Sequence, residues 1–123
     1  MSAYVYCLYS TADGLPRYVG RADDKVSYRF KQHVTAALDK EPGALYDWIR
    51  DLWRAGHDVA VYTLQEGIMP KDHSMFEQYW IGQFADLLNV AGNRPAVAVT
   101  SPVGKQVIAA IQAQIERARN APR

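Results

Sequence analysis

The chain has 123 residues, 49% of them hydrophobic and 22% charged, a length that suits one domain with one core and leaves no room for two. Fourteen Lys and Arg stand against 13 Asp and Glu, so the net charge is +1 and bulk composition does not mark the chain as a polyanion binder. A single cysteine, Cys7 in an apolar run, rules out an internal disulfide and fits a buried thiol in a reducing compartment. The N-terminus runs straight into a tyrosine-rich strand pattern, with neither a signal-peptide pattern nor a bilayer-spanning run, so the expectation is a cytoplasmic protein without membrane contact.

Tyr4 to Tyr9 is a β-branched and aromatic run, Thr11 to Pro16 supplies turn chemistry around Asp13-Gly14, and Arg17 to Arg21 resumes a strand that Gly20 brings to its end. These pieces predict an antiparallel hairpin that sets two triplets, Tyr4-Val5-Tyr6 and Tyr18-Val19-Gly20, side by side within a residue or two of register. Lys25 to Leu38 reads as a helix in which Arg29 and His33, four residues apart, share a face. After the Pro42-Gly43 break, Leu45, Trp48, Ile49 and Leu52 form the apolar stripe of a second helix that stops at Gly56.

Val59 to Leu64 is predicted as a third strand. Beyond Pro70 a helix is expected with Phe76, Trp80, Phe84, Leu87 and Leu88 as its core stripe and Glu77 beside that stripe. Asn89 to Pro95 is a turn cluster. Ser101-Pro102 opens a last helix with Val107, Ile108, Ile111 and Ile115 on one side and a basic tail of Arg117, Arg119 and Arg123. The order β-β-α-α-β-α plus a C-terminal helix gives an α/β (α+β) fold, a small antiparallel sheet flanked by helices.

Charge is uneven along this order. Six basic residues between Arg17 and Lys40 meet three acidic ones, so a positive face is expected near the hairpin and first helix. A metal-dependent nuclease needs a proton acceptor for water, a cation facing the phosphate, a carboxylate for a hard ion, and polar groups to hold them. Tyr6, Tyr18, Arg29, His33, Glu77 and Asn89 offer one candidate for each part. Singly, each has an ordinary reading: strand aromatics, a solvated helical stripe, and a Ser74-to-Glu77 capping box. Arg21 after the second triplet, and less strongly Arg17 and Lys31, are candidate nucleic-acid contacts. Trp48 and Trp80 fall on core stripes, Trp53 is open between core and base stacking, and His57 and His73 receive no role.

Tyr4-Val5-Tyr6, Tyr18-Val19-Gly20, Arg29 with His33 one turn on, Glu77 in a helix and Leu87-Leu88-Asn89, in this order, resemble the GIY-YIG nuclease superfamily from Ala3 to about Gly92. Tyr4 stands where that family usually has glycine, and Val5 and Val19 replace isoleucines. The resemblance implies a three-stranded antiparallel sheet flanked by helices, with residues 1–95 as the nuclease-like part and 96–123 as a helical extension packed on the same domain. It also implies a divalent-metal-dependent endonuclease acting on DNA, double-stranded or branched.

In that family's terms Glu77 binds Mg²⁺ or Mn²⁺, Tyr6 helps to deprotonate the attacking water with His33 or Tyr18 as relay, Arg29 faces the phosphate, and Asn89 orients. Asn93 is a rival for Asn89. A fold kept as a binding module with little or no cleavage is the alternative, and a dimer built on the last helix is an open possibility.

Overall fold

The computed structural model describes residues 2–89 and 97–121. Three strands, β1 (Ala3–Ser10), β2 (Pro16–Ala22) and β3 (Val59–Ile68), form one antiparallel sheet in the order β2-β1-β3. A central strand has to bury both faces, which explains why β1 is apolar almost throughout and why every residue in it but Tyr4 is buried. Alternation sends Tyr4, Tyr6 and Leu8 to one face and Val5, Cys7 and Tyr9 to the other.

Helices α1 (Val26–Leu38) and α2 (Ala44–Arg54) cover the Tyr6 face with Phe30, Val34, Ala37, Leu45, Trp48, Ile49 and Leu52. Trp53, half-buried, packs against the same cluster and donates Nε1–H to Asp58 Oδ1 at 2.9 Å. The opposite face is covered by α3 (His73–Ile81), which follows a single 3₁₀ turn at Pro70–Asp72, and by α4 (Pro102–Arg119). Ser101 Oγ caps α4 by accepting from Gly104 N at 3.0 Å, with Pro102 in the first turn. Fully buried Ile111, with Val107, Ile108 and Ile115 around it, seats α4 against Val5, Cys7 and Tyr9, so its isoleucine side is spent on its own sheet. The hairpin turn is set by Gly14 at φ +73° and by Asp13 Oδ1, which accepts from Leu15 N.

Three expectations and one alternative reading need correction. β2 runs on through Gly20 to Ala22. β3 extends four residues past Leu64, because Gln65 and Ile68 pair with Val5 and Ala3 across two irregularities in register, and such pairing leaves no alternating apolar pattern to read. The helix carrying Glu77 ends at Ile81: Gly82 is its C-cap and Asp86, at φ +62°, has a left-handed backbone that no helix continues. Phe84, Leu87 and Leu88 therefore belong to an irregular segment, from which Phe84 and Leu87 still reach the core. Finally, Ser74 lies inside the first turn of α3 and no side chain caps that helix, so the Ser74–Glu77 capping box does not form. Of the turn cluster only Asn89 is described; Asn93 and Arg123 fall outside the described residues. Among the described residues no helix is long and apolar enough to cross a membrane.

Candidate active site

Register decides what the two triplets build. Tyr6 pairs with Gly20 and Tyr18 with Leu8, so both phenols share the face under α1 and lie diagonally, ring centroids 6.5 Å apart. Gly20 makes this possible: a Cβ there would stand 2.5 Å from the Tyr6 hydroxyl oxygen. The glycine at the end of the second triplet is thus a space requirement, with the Tyr6 ring lying where a side chain would be. The α1 residues complete the group. His33, buried on the inner side of that helix, has Nε2 2.7 Å from the Tyr6 hydroxyl and packs edge-on to Tyr18 with centroids 5.4 Å apart.

Around this buried pair opens a cavity of about 590 Å³ lined by Tyr18, Arg21, Asp23, Lys25, Arg29 and Glu77, among others. Tyr18 comes from β2, Arg29 from α1 and Glu77 from α3, three elements meeting at one opening. Arg29 is exposed and its Nη1 donates to Gln32 Oε1 at 2.9 Å, which holds the guanidinium on the rim. The local positive excess is not delivered here: three cations, Arg21, Lys25 and Arg29, line the cavity with three carboxylates, Asp23, Asp24 and Glu77. Lys31 lies beside a neighbouring cavity that shares Tyr28 and Gln32 with this one.

Burial governs the titration of the site. It pushes the Tyr6 phenol up, with Tyr18 adding to the rise and the nearby Arg29 charge opposing it. Tyr18 is likewise raised by burial, against the pull of Arg29. Burial lowers His33 to about 4, helped by repulsion from Arg29, so the imidazole is neutral near pH 7. A neutral imidazole and a neutral phenol share one hydrogen bond, and His33 Nδ1 has no partner among the described residues.

Two expected site residues stand elsewhere. Arg17 lies near the start of β2, beside Pro16, Phe84 and Asp86 in a separate cavity, because the strand carries it away from the Glu77 end. Asn89 does not line the cavity; its side chain clips the outer edge of β2, with Oδ1 accepting from Val19 N at 2.9 Å and Nδ2 donating to Val19 O at 2.7 Å. It grips the middle residue of the second triplet, between Tyr18 and Gly20, and orients their strand. One group received no role from sequence: His73 is buried, with Nε2 3.0 Å from the Tyr4 carbonyl oxygen and Nδ1 3.1 Å from Asp23 Oδ1. Its spacing of four residues from Glu77 was the available signal.

Comparison with models of known families, with curated proteins and with solved structures finds no match to this chain.

Proposed function

We propose that this protein is a divalent-metal-dependent endonuclease of the GIY-YIG type, hydrolysing phosphodiester bonds in double-stranded or branched DNA. The observation that carries the reading is the convergence of Tyr18, Arg29 and Glu77, from three separate elements, on one solvent-open cavity backed by the Tyr6–His33 hydrogen bond. The donor set fits a hard, hydrated ion. Among the described residues no three His, Cys, Asp or Glu side chains gather as a metal cage, whereas Glu77 is a half-buried carboxylate in a roomy polar cavity. Mg²⁺ or Mn²⁺ held by Glu77 would supply charge that stabilises the phosphate oxygens and favours a hydroxide nucleophile near neutral pH.

The remaining work falls to the chain's own side chains. Tyr6 has no exposed surface, so it does not itself meet the attacking water; Tyr18 lines the cavity and does. The Tyr18 oxygen accepts a hydrogen bond from that water and aims it, while Tyr6 and His33 hold the Tyr18 ring from behind. Arg29 presents its planar fork to the phosphate, with Arg21 contacting the backbone further along.

The test is metal-dependent nicking of supercoiled plasmid and of flapped duplexes. Glu77→Ala and chelation are expected to abolish it, and Arg29→Ala to slow it roughly 150-fold, about 3 kcal/mol by analogy with the loss of one oxyanion donor. Tyr18→Phe is expected to cost more activity than Tyr6→Phe. Nicking that survives Glu77→Ala unchanged comes from a contaminant and sinks the reading.

The full burial of Tyr6, which leaves one phenol rather than two at the cavity surface, favours a second reading as a binding module without cleavage. That reading predicts salt-sensitive DNA affinity and no metal-dependent nicking.

A further inference from the structure

His73 is the first residue of α3 and is 3% exposed. It is the polar anchor of a helix otherwise held largely by apolar contact, with Phe76, Trp80 and Ile81 against the core and Trp80 Nε1 donating to Gln65 Oε1. Apolar contact is non-directional and tolerates sliding or rotation; a hydrogen bond to a fixed backbone atom does not. The ring reaches one such point and one side-chain carboxylate. One is the Tyr4 carbonyl, two residues before Tyr6 in the central strand; the other is Asp23, directly after β2, which lines the cavity together with Glu77. Both partners are acceptors, one facing each ring nitrogen. Residues four apart on a helix lie one above the other, which puts Glu77 one turn from this anchor on the same side of α3.

We propose that His73 is a positioning residue: by tying the first turn of α3 to the Tyr4 carbonyl and to Asp23, it fixes where Glu77 stands in the cavity. The consequence for metal affinity rests on the nuclease reading; the consequence for the helix does not.

The experiment therefore has two arms. Residual dipolar couplings of the metal-free protein read the orientation of α3 against the sheet in wild type, His73→Ala, His73→Gln and Phe76→Ala. Mn²⁺ binding, followed by water-proton relaxation without DNA, reads the Glu77 site in the same four proteins. In His73→Ala the α3 couplings are expected to leave the wild-type fit while those of α1 and α4 keep to it, and Mn²⁺ affinity is expected to fall about tenfold. Glutamine carries an N–H close to the Nε2 position, so His73→Gln is expected to restore the bond to Tyr4, the couplings and most of the affinity. Phe76→Ala, which loosens the helix through packing alone, controls for stability and is expected to keep Mn²⁺ affinity in its folded fraction.

Unchanged α3 couplings in His73→Ala overturn the proposal. So does a displaced helix whose Mn²⁺ affinity is that of wild type, or an equal loss of affinity in Phe76→Ala. If wild type binds no Mn²⁺ and nicks no DNA, the nuclease reading fails, and the couplings still decide whether His73 sets α3.

Discussion

Both faces of the sheet bury a mainly apolar core, and one of them adds a hydrogen-bonded phenol and imidazole to it. Between α4 and the sheet, Val5, Cys7, Val19 and Ile111 are all fully buried and apolar, a packing that serves stability alone. Between α1 and the sheet, Tyr6 and His33 are buried to the same degree, joined by one hydrogen bond and leaving an imidazole nitrogen without a partner among the described residues. A buried polar atom without a partner costs about 1–3 kcal/mol, so the Tyr6 face gives up stability at this nitrogen. The sacrifice coincides with the cavity where Tyr18, Arg29 and Glu77 meet. Of the buried polar side chains Ser10, His33 and His73, it is His33 that stands where the chemistry is proposed.

That contrast can be broken or sharpened. The largest effect is expected from Ile111→Ala, which should cost about 3–4 kcal/mol in urea unfolding while leaving nicking per folded molecule unchanged. A loss of specific activity there would mean that the two faces do not act separately.

Next comes pH. The His33 ring titrates at about 4 in the folded protein against 6.5 without burial. On acidification the unfolded chain takes up this proton first, so stability is full above the ordinary value and is lost as pH falls towards the folded one. The loss should be on the order of 2 kcal/mol between about pH 7.5 and pH 5. Unfolding midpoints across that range should flatten in His33→Gln; an equally steep profile in that variant would assign the acid sensitivity to other groups. The smallest effect is expected from Asn89→Ala, about 1 kcal/mol, since water can replace part of the clip on Val19 at the sheet edge. Loss of amide-exchange protection confined to β2 would locate it.

Much of this architecture is legible in the chain. Asp13-Gly14 announces the hairpin, Leu45 to Leu52 carries an unambiguous helical stripe, and Ser101-Pro102 opens the last helix where local rules put it. What escapes is whatever depends on a partner distant in sequence. The far end of β3 exists because Ala3 and Val5 pair with it, and Phe84 and Leu87 keep helical spacing from Phe76 and Trp80 although Asp86 has left the helix. The site divides in the same way. Residue types and order bring Tyr6, Tyr18, Arg29, His33 and Glu77 to notice. The space under Tyr6 that Gly20 provides, the grip of Asn89 on a backbone rather than a ligand, and the anchoring by His73 all require coordinates. Arg17 shows the converse: one residue from Tyr18 in sequence, it belongs to another cavity.

Cys7 follows Tyr6 directly in the central strand, fully enclosed, with its thiol pushed up to about 12 by burial. A sulfur held protonated and walled off in this way is inert towards maleimides and mild oxidants. Because the chain contains no other cysteine, a single thiol introduced on the cavity rim becomes the lone attachment point for a fluorophore or spin label, with the native residue left in place.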